Sequence, residues 1–200
     1  MNRIETVTEL RALYADPVPG AIAKVVDQIT PHYRRWIDAS RFVILSTVGE
    51  EGTDASPRGD IGPVVHVVDA HTLWLPDWRG NNRLDSLENI VRDGRVSLMF
   101  MIPGSNNVVR INGRAVLTDD AEVIGHFERK GKTPRTVIVV EVGEVYFQCA
   151  KALMRSQLWL PVEQIPDIPT AGEFIRELDE TFDAKAYDDG YPEYAKPRMW

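Results

Sequence analysis

Along the chain, apolar positions change their spacing at about residue 41, and that change divides it into helical and extended parts. Before it, Thr6 and Glu9 have the spacing of a capping box, in which each side chain satisfies the other's free backbone donor. Pro17 and Pro19 interrupt the pattern, after which Ile22, Val25, Val26 and Ile29 recur. Thr30-Pro31 predicts an N-cap and first turn opening a short helix through Trp36 and Ile37. From Arg41 the run Phe42 to Val48 is β-branched and closes on Gly-Glu-Glu-Gly, which predicts a buried strand entering a hairpin. Val64–Val68 and Thr72–Leu75 predict a second strand pair around Asp-Ala-His. Arg95–Ile102 predicts an apolar strand stopped by Pro103-Gly104, and Val108–Leu117 a long strand after it. Gly113 in its middle marks a bulge or a close approach of another backbone or a ligand. Thr136–Phe147 is a further long strand, rich in Val and Ile. Helices are predicted over Asn82–Val91, from Asp120 to about Lys130, and from Ala171 to Phe182. The stretch from Tyr187 to Trp200 has little periodicity, but its Tyr191, Tyr194 and Trp200 predict packing on a surface, its own or a partner's.

Six or seven strands joined by hairpin-length turns, with few helices between them, predict a mainly β fold, an antiparallel sheet closed into a small barrel with flanking helices. The 200 residues suit one domain with helical extensions. The expected division is a helical extension at 1–40, a barrel at 41–160, and a helix and tail at 161–200.

Composition removes several function classes. With 30 acidic and 23 basic residues the net charge is −7, which lacks the field for non-specific nucleic-acid binding. The single Cys149 excludes an internal disulfide and a cysteine-built zinc site. No apolar stretch approaches the roughly 18 residues of a membrane span. The polar, acidic MNRIETVTEL start is unlike a signal peptide, and a cytoplasmic protein is expected. His32, His66, His71 and His126 lack paired metal spacing, so no metal is expected. There is no Gly-x-Ser-x-Gly elbow, Walker loop or Gly-x-Gly-x-x-Gly, which removes the commonest serine-hydrolase and nucleotide-site readings. Arg58-Gly59-Asp60 has the letters of an adhesion triplet, a match expected to be chance if the protein is cytoplasmic.

Three constellations could carry chemistry. Leu75 to Ile90 runs from a strand through a glycine loop into a helix expected to begin near Asn82. A helix N-terminus offers free N–H groups to a phosphate, and Arg79 and Arg83 flank it. An ordinary asparagine N-cap between solvated arginines has the same spacing. Ala55-Ser-Pro-Arg-Gly-Asp60 is a turn that could present Arg58 to an anion. In Tyr146 to Trp159, Lys151 and Arg155 share a helix face four residues apart, near Cys149, Ser156 and Trp159. Such a cationic pair beside an aromatic suits a planar, phosphorylated cofactor, and equally an amphipathic surface turn with Trp159 in the core. No carboxylate or histidine is singled out for proton transfer, so the catalytic residues stay unassigned.

Together these places resemble the pyridoxamine 5'-phosphate oxidase-like family of flavin-binding split barrels, and most nearly a bacterial subgroup of FMN-dependent enzymes within it. The stretches that carry the resemblance are SPRGD (56–60), LPDWRGNNRLDSLENI (75–90), VVRINGRA (108–115) and CAKALMRSQLW (149–159). They span about residues 40–160, in the family's order. The resemblance implies a six-stranded antiparallel split barrel, a homodimer, and FMN in the cleft between subunits. It also implies that the Ser56–Arg58 strand and the strand-to-helix turn hold the phosphate and one flavin edge. The Ser-Arg-Lys of the true oxidases falls on Asn81, Asn82 and Arg83, of which only Arg83 keeps a charge. Arg110, in the third matching stretch, is implied as a further cofactor contact. Arg155, Ser156 and Trp159 are implied to reach the flavin from the other subunit, and Lys151 is a further candidate cofactor contact. The C-terminal Arg and His that the true oxidases use for pyridoxamine phosphate have no counterpart here, which argues against vitamin B6 oxidation. The implied activity is an oxidoreductase acting on an unnamed small molecule. A non-catalytic flavin carrier or sensor, and a deazaflavin- or haem-binding relative on the same barrel, stay open as alternatives.

Overall fold

The computed structural model describes residues 1–161 and 167–199. Trp200, counted above in the aromatic tail, lies outside the described residues, as does part of the 161–200 division. The capping box of Thr6 and Glu9 is formed and opens α1 (Val7–Arg11). After α2 (Pro19–Ala23), Pro31 occupies the first turn of α3 (Pro31–Ala39), with Thr30 extended ahead of it. Ile29 and Ile37 are buried in the main core, so the chain from about residue 29 is packed with the sheet.

One antiparallel sheet follows. Its strands are β1 (Phe42–Gly49), β2 (Gly52–Gly59), β3 (His66–Val67), β4 (Thr72–Asp77), β5 (Arg95–Met101), β6 (Val108–Thr118) and β7 (Thr136–Gln148). They lie in the order β2-β1-β5-β6-β7-β4-β3. The antiparallel sheet with flanking helices is as expected, but the expected six-stranded split barrel is corrected in its strand number: among the described residues the sheet has seven strands, and its edge strands β2 and β3 do not pair with each other. The seventh is β3, shorter than the Val64–Val68 strand expected, because the Val64 N–H donates to the Ser40 carbonyl instead of a ladder partner (2.9 Å).

The alternating burial of β1 and β5 turns every second side chain inward. Val43, Leu45, Leu98, Phe100, Ile111, Ile138 and Val140 are fully buried in one core cluster. Gly113 does sit at a bulge, where the β6–β7 register shifts. A Cβ there would meet the Glu141 carbonyl oxygen at 2.0 Å, so the close approach is to backbone.

The helix after β4 is α4 (Asp85–Arg92), whose Ile90 and Leu87 face the core and whose Asn89 Nδ2 donates to the buried Thr47 hydroxyl (3.1 Å). It begins three residues later than expected. The Asn81 side chain accepts from the Arg83 N–H (3.0 Å), and Asn82 takes a left-handed backbone (φ 62°), which together hold this stretch as a turn. α5 (Ala121–Gly125) is also shorter than expected; Lys130 and Gly131 then turn the chain with positive φ (51° and 75°).

After β7 come α6 (Lys151–Ser156), α7 (Ala171–Leu178), α8 (Ala184–Ala195) and a short 3₁₀ turn (Lys196–Arg198). α8 occupies the stretch expected to be aperiodic. Asp183 caps it, and Asp188 accepts from the Gly172 N–H of α7 (2.9 Å) and from the Thr170 hydroxyl (2.5 Å). Among the described residues no helix is long and apolar enough to cross a membrane.

Candidate functional site

β2 is an edge strand, and its period of two places Asp54, Ser56 and Arg58 half-buried on one side, while Ala55 and Pro57 face out. Pro57, opposite Ile44 of β1, is tolerated because β2 is an edge strand with a neighbour on one side only, so its missing N–H can fall on the open side. The inward row meets the first turn of α4. The Ser56 and Ser86 hydroxyls are 3.0 Å apart, and Ser86, itself buried, donates to Asp54. Arg58 Nε donates to Ser56 Oγ (3.2 Å), and its Nη1 pairs with Asp77 at the end of β4. One polar chain therefore runs Asp54–Ser86–Ser56–Arg58–Asp77, tying the edge strand to α4 and β4.

A second knot sits at the end of β2. The buried Asp60 carboxylate accepts from Trp78 Nε1 (3.3 Å) and pairs with Arg129, whose guanidinium lies 5.7 Å from the Trp78 ring centroid. These contacts pin the loop after β4, so the turn carrying Arg79 to Arg83 leaves the sheet at a fixed angle.

Between β2, the β4–α4 loop and the start of α4 lies a cavity of about 1050 Å³. It is near the top of the range of roughly 300–1,000 Å³ usual for small-molecule and cofactor sites. Ser56, Arg58, Asn81, Asn82 and Arg83, all expected at the cofactor site, line it together. Tyr191 and Met199 of the tail complete its wall. Five arginines and five carboxylates line it, so its local charge is balanced. Arg58 and Arg83 were expected to face an anion, and each has a carboxylate within the chain: Asp77 for Arg58, and Asp85 for Arg83 (2.9 Å). The Arg83 pair is exposed and readily exchanged for a ligand, whereas the Arg58 pair is about four-fifths buried. The Thr136 hydroxyl on the cavity wall is buried without a hydrogen-bond partner among the described residues.

The other expected residues lie apart from this cavity in the same chain. Arg110 is on β6, over the Tyr146 ring (5.4 Å) and bonded to Gln148 Oε1 (3.4 Å). Lys151, Arg155 and Ser156 are exposed on α6, and the Ser156 hydroxyl donates to the Leu153 carbonyl (3.1 Å). Trp159 is half-buried, its Nε1 donating to the Ser105 carbonyl (2.6 Å) and fastening this segment to the β5–β6 turn.

Sequence reasoning passed over Asp54, Asp77, Ser86, Trp78 and Arg129 as site residues. The alternation Asp54, Ser56, Arg58 was a readable signal; the approach of Arg129, 69 residues from Asp60, had none. A separate ring cluster joins His66, Trp74 and His126, with the two imidazoles 4.0 Å apart. Burial first, then His126 and Arg34, hold the His66 imidazole below its ordinary value, against an opposing pull from Asp38.

The family model for pyridoxamine 5'-phosphate oxidase matches residues 29–149, from the start of the core to the end of β7. The chain belongs to this family. Among solved structures, a HupZ variant from Group A Streptococcus is similar at TM-score 0.50 and 15% identity, over 60% of this chain and 99% of that one. At that identity the likeness shows the fold alone. An FMN-binding protein from Syntrophomonas wolfei is similar at TM-score 0.44 and 13% identity, over 58% of this chain and 85% of that one. Comparison with curated protein sequences finds no match.

Proposed function

We propose that this family member binds FMN in the cavity between β2 and the β4–α4 turn and acts as an oxidoreductase on a small molecule. The observation that carries the reading is the convergence of Ser56, Arg58, Asn81, Asn82 and Arg83 on one cavity of cofactor size. The donor set fits the group. Asn81 and Asn82 amides, the Ser56 hydroxyl and two guanidiniums suit a phosphate and a ribityl chain, and Thr136 offers an unspent hydroxyl. FMN would supply the hydride or electron transfer; the protein's part is position and electrostatics. In this reading Arg83 exchanges Asp85 for the phosphate, while Arg58, held by Asp77, orients the Ser56 hydroxyl toward the ligand.

The same reading places a second copy of the chain against the first, with Arg110, Lys151, Arg155, Ser156 and Trp159 serving the partner's flavin. Their separation from the cavity of their own chain is what a shared site requires. The division into extension (1–40), flavin-binding barrel (41–160) and tail (161–200), and a cytoplasmic location, belong to this reading too.

The test is direct. Purified protein should be yellow with flavin absorbance, and heat should release a compound with the mass of FMN. Anaerobic NADH or NADPH should then bleach the bound flavin. A colourless protein that FMN does not restore would end the reading; flavin that no donor reduces would leave a carrier.

A further inference from the structure

Every residue from 1 to 23 is exposed, although the segment is folded locally. The capping box of Thr6 and Glu9 opens α1, and the Leu13 and Tyr14 N–H groups continue its turn to the Leu10 and Arg11 carbonyls (3.1 and 3.2 Å). Helical spacing puts Val7, Leu10, Leu13 and Tyr14 on one side, with Thr8 and Glu9 on the other. None of the four is covered: Leu13 and Tyr14 are 68% and 73% exposed, and Val18 beyond them is 70% exposed. A monomeric protein rarely leaves so many large apolar side chains together on one stretch; such a patch marks an interaction surface.

The root of this arm is fixed. Val26 and Val145 exchange backbone hydrogen bonds (3.1 and 2.7 Å), and Lys24 Nζ lies 4.6 Å from the Phe147 ring centroid. The Tyr33 hydroxyl donates to the Lys24 carbonyl (2.9 Å) and accepts from the Phe147 N–H (3.1 Å). The arm therefore leaves the body beside the end of β7. Arg110 reaches the same end, over the Tyr146 ring and bonded to Gln148, and α6 follows it directly. Those are the residues that the proposed function turns toward a second copy. Pro17 and Pro19 bracket an extended Val18, which divides the arm into α1 and α2.

Charge and size select what covers the arm. Among residues 1–25, Arg3, Arg11 and Lys24 balance Glu5, Glu9 and Asp16. A helix that lies on a membrane carries a polar face rich in Lys and Arg, which this arm lacks. A neutral arm meets no repulsion from a second chain of net charge −7. Its 25 residues match the roughly 20–30 a side of a standard interface, and two-fold symmetry covers both arms at once. The arm also lies ahead of residues 29–149, the span that matches the family model. We propose that residues 1–25 are an exchanged arm whose apolar side clasps a second copy of this chain. This rests on the dimer of the proposed function and adds the segment that holds it together.

The test uses the full chain from nanomolar to micromolar concentration. Analytical ultracentrifugation gives dimer dissociation constants for wild type, Leu10→Asp/Leu13→Asp, and the control Leu178→Asp, which adds a carboxylate at an exposed apolar position of α7. Trypsin cleavage after Arg11 is followed on the same samples. The expected result is a dissociation constant higher by at least about tenfold in the arm variant and within about twofold of wild type in the control. Cleavage should be slow in the wild-type dimer and fast once dilution or the substitutions free the arm. An arm variant that dimerises like wild type, or a control that weakens the dimer equally, overturns the arm and leaves the dimer standing. Cleavage at one rate in monomer and dimer overturns it too, since the arm is then free in both or folded on its own body. A wild type that is monomeric at micromolar concentration overturns the arm and the dimer together. Co-sedimentation with phosphatidylserine vesicles that the arm substitutions abolish assigns the arm to a membrane and overturns the second copy as its occupant.

Discussion

At the scale of single residues, Arg58 and Arg83 separate structure from binding. Both line the cavity, but Arg58 lies in a largely buried pair with Asp77, while Arg83 is exposed beside Asp85. Arg58→Ala leaves Asp77 unpaired and cuts the Ser56 link, at a cost of about 1–3 kcal/mol in stability, visible as a lower melting temperature. Arg83→Ala should melt as wild type. Each should weaken FMN by about tenfold to a hundredfold, measured by fluorescence quenching: Arg83→Ala by removing a charge-assisted hydrogen bond to the phosphate, Arg58→Ala by releasing the Ser56 hydroxyl that it orients. His66 gives a second residue-scale prediction. Its imidazole is held below the ordinary 6.5 in the folded chain, so the unfolded chain takes up the proton more readily. The stability it contributes is present above about pH 6.5 and is lost as pH falls below that value. Denaturant unfolding at several pH values should show this slope, and His66→Gln should flatten it. The site was readable at this scale where one strand or one turn presents the residues: Ser56, Arg58 and Asn81 to Arg83 share a cavity as expected. It was not readable where residues distant in sequence meet, as Asp60 meets Arg129, because no local period encodes that contact.

At the scale of elements, the strands were legible because alternation and β-branched runs report a half-buried pleat directly. The β1–β2 hairpin and the Gly113 bulge stand where those signals put them. The helix ends were less so. α4 starts at Asp85 because an asparagine turn competes with the helix for the N–H of Arg83. α8 was hidden because Gly190 and Pro192 are poor helix formers; the Asp183 cap and the hold of Asp188 on α7 outweigh them. The bulge yields the prediction at this scale. Gly113→Ala would drive a methyl group into the Glu141 carbonyl, so it should destabilise the fold by roughly 1–3 kcal/mol or more. Thermal melting checks it, and Ala at exposed Gly20, where nothing lies near the added carbon, should be close to silent.

At the scale of the whole molecule, the chain leaves the α6 residues Lys151, Arg155 and Ser156 exposed, while Trp159 is fastened to the Ser105 carbonyl. A two-fold dimer, the commonest closed assembly, would let that segment complete the partner's flavin site. Light scattering at micromolar concentration should therefore give twice the chain mass. Trp159→Leu should shift the flavin spectrum while the melting temperature changes little. A monomer with FMN still bound would contradict the shared site. The claim on which the functional reading turns is narrower: a flavin phosphate is held at the β2 and β4–α4 cavity. It is tested most directly by titrating cofactor-free protein with FMN and with riboflavin, which differ only in that phosphate. The expected result is FMN binding at least about tenfold tighter than riboflavin, with the difference shrinking in Arg83→Ala. Equal affinity for the two flavins in wild type would contradict it.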